Sequence, residues 1–288
     1  MAIDGRRPTL LPWFIAPAAL VAMLLVASLA MLFQYSFRAH LPGTLDVGGF
    51  TLDNFQDLGK WLYLRVFIDS LVISAWTAGL SLLLGYPLAL ALVRCRSPWL
   101  KAAILIAVII PMFTGDIVRT YSWLIVLGTR GFINGSLLGL GVIDAPIPLL
   151  FTTTAVVVAL VQYSLPVIVV ILSAAISHID SDYEKAAASL GAGPLSVLWN
   201  VTLPRSMPGI LSGTVTIFAW TMSAFATPQL VGGGKVNMVS NMVYHLGFAS
   251  FNFPFAAVLS MVSLLLIMMV LALLGLWLRR LERRGFAG

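Results

Sequence analysis

The chain has 288 residues, 60% of them hydrophobic and only 10% charged, and 17 basic against 11 acidic residues leave it at +6. A soluble domain carries about 25% charged residues, so a mean hydropathy of +0.99 excludes an ordinary soluble enzyme. The same apolar excess excludes disorder, which needs low hydrophobicity and high charge. One cysteine, Cys95, excludes an internal disulfide framework and a cysteine metal cluster. Sparse charge in so apolar a chain points to a membrane before nucleic acid.

A bilayer-spanning helix needs about 20 mostly apolar residues, and such windows recur. The first runs from Phe14 to Phe33, too long for the core of a cleaved signal peptide despite the preceding Arg6 and Arg7. The second runs from Ser70 to Val93 and the third starts at Ala102. The third reaches Pro111 and is then interrupted by Asp116 and Arg119 before Tyr121–Leu127 turns apolar again. Either one kinked helix carries an internal ion pair, or the span breaks near Pro111 and a short helix follows; a broken element is the expectation. The fourth window covers Leu149–Ser177, the fifth Pro208–Phe225 and the sixth Phe253–Leu278. None alternates apolar and polar residues as a barrel strand would.

Orientation follows from lysine and arginine in the loops. With the N-terminus inside, Arg6, Arg7, Arg94, Arg96, Lys101, Lys185, Arg205, Arg279, Arg280, Arg283 and Arg284 face the cytoplasm. Arg38, Lys60, Arg65, Arg130 and Lys235 face outward. Five acidic residues accompany each set, so the whole surplus of +6 lies inside and Asp116 cancels Arg119. The fold class expected is all-α integral membrane, six transmembrane helices with both termini cytoplasmic, one domain over residues 1–288.

About thirty residues separate the fourth and fifth windows. Within them Ser181–Gly191 reads as a short helix, with Ser181 and Glu184 as a capping box and Gly191 at the left-handed stop. Tyr183, Ala186, Ala187 and Leu190 share one face. Gly193-Pro194 restarts a helix, and Leu203-Pro204 ends the segment. Two readings are open: a docking element for another protein, or a helix that packs under the membrane domain.

Ala186, Ala187, Gly191, Val201, Leu203 and Pro204 stand in the register of the Glu-Ala-Ala signature. The segment resembles the permease subunits of binding-protein-dependent ABC importers. Lys185 occupies the position where that family usually has Glu, and Glu184 precedes it. Further segments, Ile110–Tyr121, Gly141–Pro146 and Arg205–Ile210, resemble the spermidine/putrescine permeases, the first of their two paired subunits. The resemblance implies a type I ABC importer permease fold in a bacterial inner membrane. It makes residues 178–206 a cytoplasmic coupling loop whose helix seats in a cleft of the ATPase, with Tyr183, Glu184, Lys185, Ala186, Ala187, Leu190 and Gly191 as coupling residues. It further implies a second permease subunit, two ATPase subunits, a periplasmic solute-binding protein and surrounding lipid. ATP and Mg would be used by the partner ATPase, with no cofactor on this chain.

Charges inside a bilayer are costly and mark functional candidates. Asp116 and Arg119, three apart, read either as a gate or polar lining, or as an ion pair tethering the end of the third span. A polyamine cargo needs carboxylates and aromatic faces as transient ammonium acceptors. Asp116, Tyr121, Trp123, Gln162, Tyr163 and Trp220 are the candidates, with Arg119 beside them. Taken singly, each aromatic also fits an interfacial anchor or simple packing. Gln162 and Tyr163 precede Pro166, where a kink would expose polar backbone to a cavity.

Gly232–Lys235 superficially matches a phosphate loop, but Val236 stands where magnesium needs Ser or Thr, so a flexible outer loop is expected. His40, His178 and His245 have no metal-site spacing, and no nucleophile–His–acid pattern emerges. The reading is therefore transport rather than an enzyme. Other cargoes fit the same family: an opine, an amino-acid derivative or a phosphonate. The rivals are an ion-coupled secondary transporter, which would need more ionisable residues within the spans and internal repeats, an intramembrane enzyme, which would need paired catalytic groups at matching depth, and a structural anchor, which would not need the bounded helix.

Overall fold

The computed structural model describes residues 11–285, with side chains described for 15–276. Asp4, Arg6 and Arg7, and the side chains of Arg279, Arg280, Glu282, Arg283 and Arg284, lie outside the described residues. The chain divides into two compact units.

The first unit holds the residues up to Lys60 together with Val243–Val262. Helix α1, Leu11–Ser36, carries no charged residue and exposes its side chains from Ile15 to Leu29. Strands β1 (Arg38–His40) and β2 (Val47–Phe50) pair antiparallel, followed by the short α2 (Asp53–Asp57). Buried Asn54 donates to the carbonyls of Ser36 (3.1 Å) and Arg38 (2.8 Å), fixing the exit of α1. The Phe37 ring stacks on Phe50 at 5.6 Å and tilts against Phe55 at 5.2 Å, an arrangement typical of aromatic pairs.

The second unit holds Trp61–Met242 and the residues from Ser263 onward. Its frame is α3 (Trp61–Arg94), α7 (Thr153–Ser177) and α10 (Leu203–Met222). Ser70, Ser74, Thr77 and Ser81 recur at helical spacing along α3, and all are fully buried. Small side chains on one face let helices approach closely, the usual basis of helix association in lipid. Ile168 of α7 shows the consequence. It is fully buried and sits against Gly85 of α3 and Gly213 of α10, where an added Cβ would lie 2.7 and 2.6 Å from its side chain.

The third window is broken, as expected. Helix α4 (Pro98–Phe113) starts on a Ser97 cap, and the segment Asp116–Gly139, which opens with α5 (Asp116–Leu127), leaves it at 110°. The break falls at Thr114–Gly115, three residues beyond Pro111, which stays inside the last turn of α4. Helix α6 (Phe132–Gly139) follows, held by fully buried Asn134, which donates to the carbonyls of Gly128 and Ile147 and accepts from the Ile147 amide.

Helix α8 (Ser181–Ser189) leads through α9 (Pro194–Val197) and a π-helical turn, Leu198–Thr202, directly into α10. Leu203-Pro204 therefore opens α10 rather than ending the preceding segment. The wider turn just before Pro204 lets the helix run through a residue that lacks an N–H. After α10 come α11 (Ala226–Val231), α12 (Val239–Tyr244) and, from Phe253 to Gly285, α13. Asn241 ties the first two together: its amide donates to Gln229 (2.9 Å) and to the Phe225 carbonyl (3.3 Å), while the Val239 amide donates to Ser70 Oγ at 2.9 Å.

The glycine run is not the loose loop expected from sequence at every residue. Gly233, at φ +55°, lies so close to the Phe151 ring that a Cβ would overlap it. The Phe151 amide donates to the Val231 carbonyl at 3.0 Å.

Among the described residues, four helices are long and apolar enough to cross a bilayer: Ile15–Ser36, Trp61–Arg94, Thr153–Ser177 and Phe253–Leu276. The bent α4–α5 pair makes a fifth if counted as one span. Helix α10 has 20 residues, but its Pro, Gly, Ser and Thr content keeps it outside that set. Composition and length thus support four or five spans directly, where the sequence windows suggest six.

Candidate functional site

The break between α4 and α5 decides what Asp116 and Arg119 do. A helix ends with free carbonyls and begins with free N–H groups. Arg119 turns back to the end of α4, donating to the carbonyls of Pro111 and Thr114. Asp116 stands in the first turn of α5, where a negative charge complements the helix dipole. Each charge is thus answered by a helix terminus, and the ion pair considered from sequence does not form. Arg119 also lies 4.6 Å above the Tyr163 ring, and its Nε is buried without a hydrogen-bond partner.

Asp116 is left facing a cavity of about 300 Å³ lined by Leu160, Tyr163, Trp220 and the turn Ser223–Thr227. The Tyr163 hydroxyl donates to Asp116 Oδ2 at 3.4 Å, and its ring meets Trp220 edge-on at 5.1 Å. Trp123 donates from Nε1 to Gln162 Oε1 at 3.3 Å. Pro166 lies inside α7, so the carbonyl of Gln162 has no N–H four residues on. The structure brings Asp116 and Arg119 of α5, Tyr163 of α7 and Trp220 of α10 together, and Trp123 of α5 pairs with Gln162 of α7. Tyr121 is more than half exposed and does not line the cavity. The turn Ser223–Thr227 had no signal in the sequence, because its place depends on the clamp at Asn241. A carboxylate edged by two aromatic rings is a chemical environment that accepts cations.

Helix α8 carries the second candidate set. Its N-cap is Asp180, whose side chain accepts from the Asp182 amide at 3.0 Å. The expected capping box of Ser181 and Glu184 is not formed, because Glu184 has stronger partners elsewhere. Glu184 Oε1 accepts from Arg94 Nη2 at 3.1 Å and from Thr202 Oγ1 at 3.1 Å. At the other end Gly191 takes φ +86°, its amide donates to Ala188, and the Ala192 amide donates to Ala187. This is the Schellman stop that glycine serves best.

Leu190 is 90% exposed and Tyr183 about half exposed, with Ala186 exposed and Ala187 partly so. Lys185 Nζ lies 2.7 Å from Asp182, and that carboxylate raises the lysine pKa. A raised lysine pKa contributes fully at neutral pH and fades only above the usual lysine range, so this pair is constant under physiological conditions. In the sequence Arg94 is a topology marker and Arg205 a topology marker within a family-like segment; their contacts with α8 depend on tertiary placement.

A set of apolar helices enclosing a largely apolar cavity with one carboxylate, and a capped, exposed helix on a connecting loop, is the arrangement expected of a membrane transport component. Residues 81–286 match the family of binding-protein-dependent transport system inner membrane components, and the chain belongs to it. Over 228 residues it is 35% identical to the spermidine/putrescine transport system permease protein PotB of Escherichia coli (strain K12), covering 79% of this chain and 82% of that protein. The molybdenum transport system permease protein ModB of Mycobacterium tuberculosis (strain ATCC 25618 / H37Rv) is 34% identical over 217 residues, 73% of this chain and 78% of that one. Among solved structures, a bacterial alginate ABC transporter in complex with its oligosaccharide-bound periplasmic protein superimposes with a TM-score of 0.79 at 19% identity, covering 99% of this chain and 97% of that one. The MetNI methionine ABC transporter gives 0.56 at 18% identity over 78% and 96%. The chain is a multi-pass permease of an ABC importer.

Proposed function

We propose that this permease carries a polyamine or a related small amine, as one of two paired permease subunits. The observation that carries the cargo class is the Asp116 carboxylate facing Tyr163 and Trp220 across one cavity. The identity to spermidine/putrescine permeases points the same way. An oxyanion, as the molybdenum relative's name suggests for that protein, would meet an unneutralised carboxylate at this surface, while Arg119 is engaged by two carbonyls. That contrast favours the amine.

The remaining parts follow the family. Six spans with both termini cytoplasmic require α10 as a membrane helix, and its 20 residues give about 30 Å, enough for the hydrocarbon core. A periplasmic binding protein delivers cargo, and two ATPase subunits dock through the 178–206 loop and its counterpart on the second permease. Closure of the ATPase dimer on ATP and Mg displaces α8 and opens the path between the two permeases outward; hydrolysis resets it. The path needs no tight site, because strong retention would slow release.

The test is uptake of labelled spermidine by vesicles holding this chain, its paired permease, ATPase and binding protein. Uptake that requires both ATP and the binding protein is the expected result. Equal uptake by this chain alone, without nucleotide, would overturn the importer reading, and uptake of molybdate but not spermidine would overturn the cargo class.

A further inference from the structure

Two neighbouring residues of α8 are each gripped by an arginine from a different membrane helix. Glu184 accepts from Arg94, the last residue of α3, at 3.1 Å from Nη2 and 3.2 Å from Nε. The same arginine donates to the Ile179 carbonyl at 2.8 Å, just ahead of the α8 cap. Tyr183 has the Arg205 guanidinium 3.5 Å above its ring, and Arg205 lies in the first turn of α10. Thr202, at the end of the π-helical turn feeding α10, closes the group onto Glu184.

The Arg94–Glu184 side chains are 26% and 21% exposed, against 71% and 76% for Lys185–Asp182. Shielded pairs hold their geometry and resist screening, whereas exposed ones contribute little.

The body of α8 has little else to bear load. None of its residues is buried. A cavity of about 420 Å³ lies beneath it, bounded by Leu90, Arg94, Ala188, Val197 and Thr202. Its C-terminal side ends on Gly191 and Gly193, joints that absorb displacement by bending. A push on α8 therefore reaches α3 through Arg94 and α10 through Arg205 and the Glu184–Thr202 hydrogen bond, or is lost in the linkers.

We infer that Arg94 and Arg205 are positioning residues that deliver displacement of α8 to α3 and α10 together, making them the mechanical link between ATP hydrolysis and the path. This rests on the reading of α8 as the ATPase-docking element. Because Ile168 of α7 is seated against glycines of both α3 and α10, movement of those two helices moves α7 with them.

The experiment uses the complete reconstituted importer and reads uptake, ATP hydrolysed per solute imported, and co-purification of the ATPase. Arg94→Met and Arg205→Met are each expected to lower uptake about tenfold and raise ATP consumed per solute by a similar factor, with the ATPase still bound. Arg94→Lys, which keeps a donor to Glu184, restores most of the coupling. The double variant Arg94→Met/Glu184→Gln loses less than the product of its singles, because both remove the shared Arg94–Glu184 connection. Coupling within twofold of wild type in both arginine variants, multiplicative losses in the double variant, or loss of the ATPase from either arginine variant would each overturn the inference. Failure of the docking reading is seen separately, as Gly191→Val retaining full ATPase binding and uptake.

Discussion

At the scale of single residues, a 110° bend of the backbone assigns the charges their partners. Asp116 and Arg119 are close enough in sequence to pair, yet the break at Thr114–Gly115 supplies a helix end for each. The result is a carboxylate whose side-chain partner is a neutral phenol, which leaves it able to receive a cation. Asp116→Asn keeps size and hydrogen bonding while removing the charge. A charged hydrogen bond contributes about 1.5–3 kcal/mol, so polyamine uptake is expected to fall at least about tenfold, with Asp116→Glu intermediate. Initial uptake rates in the reconstituted importer measure this, and a full rate in Asp116→Asn would remove Asp116 from the path. The residue types were legible from sequence because a carboxylate and aromatics near an apolar window are rare and costly. Their grouping was not, since Tyr121 looks as suitable as Tyr163 until the packing of α5 on α7 leaves it on the exposed face.

At the scale of elements, the frame of α3, α7 and α10 depends on glycines at close crossings. An added Cβ at Gly209 of α10 would overlap the Cβ of Ala175 on α7, and neither atom can rotate away. At Gly213 the nearest neighbour is Ile168 Cδ1, the free end of a side chain. Overpacking typically costs about 1–3 kcal/mol, and the cost is higher where the backbone must move. Gly209→Ala is therefore expected to lower the melting temperature of the purified protein more than Gly213→Ala, by several degrees. Equal shifts would mean that the helices separate as readily at both crossings. Helix existence was plain in the sequence because apolar windows of this length have few other solutions. Boundaries were less so: Pro204 reads as a terminator, but a π-helical turn carries the chain through it, and Glu184 reads as a cap until Arg94 draws it away.

At the scale of the whole molecule, the distribution of charge predicts how the chain sits in the bilayer. Lysine and arginine resist translocation and collect on the cytoplasmic side. The junction of α3 and α4 carries Arg94, the last residue of α3, and Arg96, with Lys101 just beyond, whereas Lys235 belongs to the opposite side in the same scheme. The chain's one cysteine falls in the first of these segments: Cys95 is partly exposed, directly after Arg94. It is thus a native reporter of orientation. A membrane-impermeant thiol reagent is expected to leave Cys95 unmodified in intact cells and to label it in inverted membrane vesicles. Cys95→Ser with Lys235→Cys should reverse that pattern. An odd number of spans between the two positions is what the reversal requires, and α4–α5, α7 and α10 supply three. If α10 failed to cross, both cysteines would label from the same side, and the six-span topology would fall with it.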